Sequence, residues 1–447
     1  MYILLYIIVI VIVLVVSTKR PSIALSFMLC TFGLEQWLQS KSIFFLTNHS
    51  IVNIITGLTV VYALIIKFIK EKNLLQHYPI EAWLIVLLYF YALVSIFWSP
   101  VPDISDANYK KSFPYIIMMV VMAPLLITKV EDLYKSQLFL IFLGGTLMIL
   151  LMFFTEWGYR SIVLAGHNNG SVDLRANPLA IANLSGYVML ASVLLNVQNQ
   201  PKLWSIGRWV LVVICLAVSV KTGSRGQFLI MVFMALAFLP VSRKIANIRQ
   251  FFPLIIGLMF ITVVGYWAIG EYSGEDTRWG SDRMSEDVGG RYVAVGKLLD
   301  AWYSSPINIM FGLGSSASFD QSIAGFYPHV VSLEILGELG LIGFSLLLIV
   351  LYRTYSDSRR SMKLISMDES KKGVFASIAA ITMFEFILSF KQSSFLNSQL
   401  LFGMLIVLAR LNYSIFTESN NDMTDDEIVE NNDDLLGIKS SGVKLRK

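Results

Sequence analysis

Tyr2-Ile-Leu-Leu-Tyr-Ile-Ile-Val-Ile-Val-Ile-Val-Leu-Val-Val16 contains no polar side chain apart from two tyrosines, and Lys19-Arg20 follows it closely. Polarity does not alternate along the run, so a barrel strand is excluded. In hydrocarbon a helix is the remaining way to satisfy the backbone. No basic stretch precedes the run, which sets it apart from a cleavable leader. The positive pair behind it predicts an outer N-terminus.

Similar blocks recur down the chain, at Pro21–Leu38, Ile51–Ile69, Ile80–Trp98, Phe113–Thr128, Ser136–Phe154 and Pro178–Val197. They continue at Leu203–Val220, Gly226–Pro240, Phe251–Gly270, Val330–Tyr352, Val374–Phe390 and Phe395–Leu408. With the first run they predict about thirteen membrane spans, each near the length that crosses the hydrocarbon layer. Composition agrees: 55% of the 447 residues are hydrophobic and 15% are charged, more apolar surface than one soluble core buries. The net charge of +4 is too small for a field that would hold nucleic acid. Cys30 and Cys215 lie in separate apolar runs with no metal or redox spacing and are expected to be packing residues.

Alternating the loops gathers Lys19/Arg20, Lys67/Lys70/Lys72, Lys129/Lys135, Lys202, Arg243/Lys244/Arg249 and the basic stretch Arg353 to Lys372 on the inner side. The segments Asp103–Lys111, Arg160–Asn177, Lys221–Arg225, Glu271–His329 and the loop around Lys391 then face outward. The expected organisation is a membrane bundle over residues 1–270, an outer helical loop domain over 271–329, further membrane helices over 330–410, and an inner tail over 411–447. That tail is acidic and Asn-rich and reads as disordered. The outer loop carries Arg278, Arg283, Arg291 and Lys297 against the positive-inside tendency. Within it, Val295, Leu298, Leu299 and Trp302 recur at helical spacing, which predicts an amphipathic helix over Arg291–Ser304 that either caps the bundle or closes over a cleft.

Three arginines stand at outer span ends: Arg175 in Asp173-Leu-Arg-Ala-Asn-Pro178, Arg225 in Lys221-Thr-Gly-Ser-Arg-Gly226, and Arg291 in Gly289-Gly-Arg-Tyr292. A guanidinium there either snorkels to lipid headgroups or, with its neighbours, grips a diphosphate through its planar fork. His329 follows Tyr327-Pro328 at the mouth of the next span, as an interfacial cap or as a base for a sugar hydroxyl. Glu334 and Glu338, four residues apart, are expected to orient His329 or pair with an arginine. Glu385, inside a span, calls for a basic partner. No DxD, GxxxxGK[ST], HExxH or Gly-x-Ser-x-Gly pattern occurs, and the acids Glu275, Asp276, Asp282, Glu286 and Asp287 read as a solvated loop rather than a cation site. No metal and no cofactor is expected.

The stretch Thr222-Gly-Ser-Arg-Gly-Gln227 resembles the Ser-Arg-Gly signature of the O-antigen ligase and polymerase (Wzy-type) family. The order Gly290-Arg-Tyr, Ala301-Trp302, Pro306, Phe311-Gly-Leu-Gly314, Tyr327-Pro-His329 and Glu338-Leu-Gly-Leu-Ile-Gly343 resembles a second family stretch. Val330 stands where that family often has asparagine. The resemblance covers roughly Arg175 to Gly343. It implies an all-α polytopic glycosyltransferase of the C-type membrane fold in a bacterial inner membrane, metal-independent and inverting, with its site facing outward. Its donor would be an undecaprenyl-diphosphate-linked glycan, held by Arg225, Arg291 and Arg175, while His329 activates the acceptor hydroxyl. A chain-length regulator or other polysaccharide-assembly proteins would be partners, beside membrane lipid. An acceptor repeat unit makes the protein a polymerase, lipid A-core a ligase, and a protein hydroxyl an oligosaccharyltransferase. A flippase or transporter would share the helices and arginines, but it should show two similar halves, which the chain lacks.

Overall fold

The computed structural model describes residues 2–71, 74, 78–158, 161–165, 176–197, 201–243, 259 and 281–435, without the side chains of 281–289 and 421–435. Among the described residues there is no strand, only an isolated bridge between Trp157 and Ile162. The helices are α1 (Tyr2–Lys19), α2 (Ile23–Lys41), α3 (Ile43–Thr47), α4 (Ser50–Lys70), α5 (Ile80–Val94), α6 (Pro102–Tyr115), α7 (Ala123–Leu125), α8 (Val130–Phe153) and α9 (Pro178–Leu194). They continue as α10 (Lys202–Lys221), α11 (Arg225–Ser242), α12 (Ser281–Tyr303), α13 (Pro306–Phe311), α14 (Val331–Leu364), α15 (Glu369–Leu388) and α16 (Gln399–Leu435). Eight stretches are long and apolar enough to cross a membrane: α1, α4, α5 with its 3₁₀ extension to Trp98, α8, α10, α11, α14, and α16 as far as Asn420. The protein is an all-α membrane protein.

Helices that fall outside those eight show how burial relaxes composition. The α2 helix carries Glu35, Gln36 and Gln39, yet nearly all of it is buried among α4, α8 and α9. A helix surrounded by helices need not be apolar all round, whereas α1 is apolar and presents Leu4, Val11 and Val15 outward. Close packing rests on small residues: Gly33 sits against Leu184, Gly144 against Val188 and Gly186 against Phe384. Ser26 and Ser136 hydrogen bond across α2 and α8 with 2.6 Å between hydroxyls.

Four boundaries differ from the sequence expectation. Residues Asp103–Lys111, expected as an outer loop, form α6, which Pro102 and Asp103 start; a π-helical turn (Ile116–Met122) and α7 then extend it. The expected inner loop from Arg353 is helical as far as Leu364, because the part of α14 after Gly340 alone runs 24 residues (341–364), about 36 Å at 1.5 Å per residue, beyond the hydrocarbon thickness. The helix of the outer segment starts at Ser281, ten residues before the expected Arg291. The last helix continues to Leu435 through the expected tail, since no Gly or Pro lies between Gly403 and Gly437. The expected span Phe251–Gly270 lies outside the described residues apart from Met259.

The segment that precedes α14 is locked to it by interleaved glycines. Gly340 (φ 65°) breaks the α14 helix, and Gly312 (φ 80°) presses so closely on the backbone of Glu338 and Gly340 that neither glycine has room for a Cβ. The break exposes carbonyls that would otherwise be spent inside the helix. Leu313 N donates to the Gly337 carbonyl (3.0 Å) and Gly314 N to that of Glu338 (2.8 Å). The apolar face expected on α12 docks here, with Leu298 fully buried against Gly337.

Candidate functional site

Downstream of α15 the chain turns through residues 389–398 before α16 begins, with Ser393 in the left-handed region (φ 75°). Contacts from across the chain meet on this turn. Arg291 Nη1 donates to the Lys391 carbonyl at 2.8 Å. The Lys391 side chain lies over Gly226 and leaves no space for a Cβ there, which ties the start of α11, and with it Arg225, to the same turn. Gln227 Nε2 donates to Gln392 Oε1 at 2.5 Å. Val331 N, two residues after His329, donates to the Ser389 carbonyl at 2.9 Å. Two of the three arginine stretches and the histidine stretch thus border one turn. Arg175 lies outside the described residues.

His329 is half-buried with φ 60°, a backbone conformation a β-substituted residue adopts only when its surroundings impose it. Its ring centroid lies 4.2 Å from that of Tyr327, tilted by 52°. Burial pushes the Tyr327 phenol above its usual value; the Glu334 carboxyl adds to the rise and the Arg291 guanidinium opposes it. Tyr327, His329, Arg291 and Glu334 therefore share one electrostatic neighbourhood.

The two glutamates have partners other than those the sequence suggests. Glu338 Oε2 accepts from Ser316 N at 2.7 Å, while Oε1 accepts from Ser318 N at 3.2 Å and Ser318 Oγ at 2.7 Å. It secures the Gly-Leu-Gly-Ser loop. Glu334 Oε1 accepts from Phe395 N at 3.0 Å, fastening α14 to the turn, and its buried Oε2 has no hydrogen-bond partner among the described residues. Glu385 accepts from the Tyr187 hydroxyl, so its partner is a phenol where the sequence suggested a base.

Beside the turn opens a cleft of about 510 Å³ between α2, the π-helical turn, α9, α15 and α16. Gln392, Ser393 and Asn397 of the turn form one wall; Asn177 at the start of α9 and Glu385 within α15 also line it. This turn is what sequence reasoning missed. Lys391-Gln-Ser-Ser394 matches no motif, and the one signal was a polar cluster between two apolar spans. Among the described residues no group of three His, Cys, Asp or Glu side chains is placed to hold a metal ion. Glu275 and Asp276, and the side chains of Asp282, Glu286 and Asp287, lie outside them.

Chemically, the arrangement offers a fixed guanidinium, a second arginine at a helix N-terminus, an imidazole beside a protonated phenol, and an adjoining cleft of mixed polar and apolar lining. That set suits the loss of an anionic leaving group with proton removal from a nucleophile. No protein-family model matches this chain, and no curated protein matches it in sequence.

Proposed function

We propose that the protein is a glycosyltransferase of the O-antigen polymerase and ligase type, joining undecaprenyl-diphosphate-linked glycans on the outer face of a bacterial inner membrane, with its N-terminus outside and C-terminus inside. The observation that carries this is the convergence of Arg291, the Arg225 helix start and the His329 segment on the turn at 389–393. The acceptor hydroxyl oxygen attacks the anomeric carbon from the face opposite the diphosphate. His329 takes the hydroxyl proton. The anomeric C–O bond breaks and its electron pair leaves with undecaprenyl diphosphate, whose charge Arg291 and Arg225 offset, with Arg175 as a further candidate. Backside attack inverts the anomeric centre. The chemistry requires neither a metal nor paired carboxylates.

Polymerisation of repeat units in O-antigen, capsule or exopolysaccharide assembly is the favoured form, with a chain-length regulator as an expected partner. Transfer to lipid A-core is the runner-up.

The test is transfer by purified protein from a lipid-diphosphate glycan, followed across pH. His329→Ala should lower the rate about a hundred- to ten-thousandfold, with donor affinity kept and partial recovery at high pH. Glycan carried across a vesicle membrane with no new glycosidic bond would identify a transporter and overturn the proposal.

A further inference from the structure

The cleft beside the turn has a floor that the transfer chemistry above does not use. There the Tyr187 hydroxyl donates to Glu385, and Asn183 stands next to that hydroxyl. Asn183 Oδ1 is buried without a hydrogen-bond partner among the described residues. Gln392 and Asn397 face the same space from the turn, and Tyr115 adds an aromatic wall. Carboxamides donate and accept at one site, a carboxyl accepts from neighbouring hydroxyls, and a ring face packs on C–H groups. Met28, Leu29, Phe32 and Leu401 add apolar surface that packs on C–H groups, while an alkyl chain filling the whole cleft would strip water from the amides and return no hydrogen bond. An anion would find Lys111 as the one cation among the described lining residues, and would share the space with Glu385. A neutral ligand that carries both hydroxyls and C–H faces, as a sugar does, complements both kinds of lining.

We propose that this cleft is the saccharide subsite for the acceptor, holding its terminal sugars through Asn183, Glu385 and Asn397. The assignment rests on the glycan-transfer proposal. Its volume of about 510 Å³ lies within the range of small-ligand sites. Gln392 on its wall directly follows Lys391, whose carbonyl holds Arg291. A sugar seated there borders the turn that holds Arg291, and its hydroxyl is directed at the donor's anomeric carbon from the side opposite the leaving group.

The test uses full-length protein in lipid nanodiscs, with a lipid-diphosphate glycan as donor and a short-chain lipid-linked repeat unit as acceptor. Asn183→Leu and Asn397→Ala should each raise the acceptor KM about tenfold, the worth of one or two hydrogen bonds, and leave the donor KM within about twofold. A rise in the donor KM with the acceptor KM unchanged would make the cleft a lipid-diphosphate site and overturn the proposal; unchanged values for both would do the same.

A second measurement separates this proposal from the one it rests on. Oligosaccharides released by mild acid from the surface polysaccharide of the producing cell are tested for binding by saturation-transfer NMR. They should bind the wild type and not the cleft-filling Asn183→Phe, whose folding is checked by its thermal midpoint. Binding that Asn183→Phe abolishes, in a protein that forms no glycosidic bond, leaves the saccharide site standing and removes the transferase. Intact transfer with binding indifferent to Asn183→Phe removes the site and leaves the transferase.

Discussion

The two ends of the bundle hold their cations in different ways. Where α4 ends, Lys67 Nζ lies 2.9 Å from Glu71 and 2.8 Å from Asp132, and the Thr128 hydroxyl closes the site at 2.7 Å. The lysine side chain is 3% exposed. At the opposite end, Arg291 is oriented by the main-chain carbonyl of Lys391. Two carboxylates neutralise a buried ammonium and make it part of the structure. A carbonyl dipole aims a guanidinium and leaves its formal charge to act on something else. The contrast separates a cation that holds helices together from one that the proposed reaction assigns to an anion.

The largest effect that would break or sharpen this contrast is expected at Arg291. Arg291→Lys keeps the charge and loses the planar fork, so transfer should fall about a hundred- to thousandfold with little change in thermal midpoint. Near-normal transfer by that variant would make Arg291 a headgroup anchor and erase the distinction. Lys67→Met should do the reverse: a loss of about 3 kcal/mol in stability, because Glu71 and Asp132 keep their charges without the ammonium, and normal transfer per folded molecule. Transfer that falls in step with Lys67 would show that both ends serve the reaction.

Smaller effects test the scaffold beneath Arg291. Gly312→Ala should cost about 1–3 kcal/mol, because φ 80° and the Glu338 backbone both oppose a Cβ. Gly296→Ala on α12, where a Cβ meets nothing within 4 Å, should be neutral or stabilising by up to about 1 kcal/mol. Equal midpoints for the two variants would mean that the interleaved glycines do not fix the segment that precedes α14. Tyr327 gives the smallest effect. Its phenol ionises above the usual value near 10, so the unfolded chain loses that proton first, and the associated stability, complete below pH 10, is lost as pH rises beyond it. Tyr327→Phe should flatten that alkaline loss in thermal melts taken from neutral pH upward.

The apolar runs made most of the helices legible, because a side chain facing lipid must be apolar whatever it neighbours. Twelve of the expected spans fall on described helical segments, from Tyr2–Lys19 to Gln399–Leu435. The ends were less legible. The 34-residue α14 and the early start of α6 depend on what the polar residues beyond the hydrocarbon do, and hydropathy is silent there. Within the site, Arg225, Arg291 and His329 stood out because charge and imidazole are costly at a span end. The turn that gathers them did not, since its contacts use main-chain groups such as the Lys391 carbonyl and the Phe395 amide, which every residue possesses. Glu338 was misassigned for a related reason. Its partners are the backbone and hydroxyl groups of Ser316 and Ser318, and no periodicity links those positions to a glutamate on the following helix.

The turn at 389–393 also sets an order of assembly. The loop that Glu338 secures closes across 22 residues, so it can form as soon as the start of α14 has left the ribosome. The Arg291 contact with Lys391 spans 100 residues, and the Gln227 contact with Gln392 spans 165. Neither exists until α15 has been synthesised and inserted. A nascent chain therefore carries its arginines and histidine through most of its biogenesis as separate polar ends of unrelated helices. The arrangement around the turn forms only after α15 and the residues that follow it are in place, so any activity that depends on it is withheld from an unfinished chain.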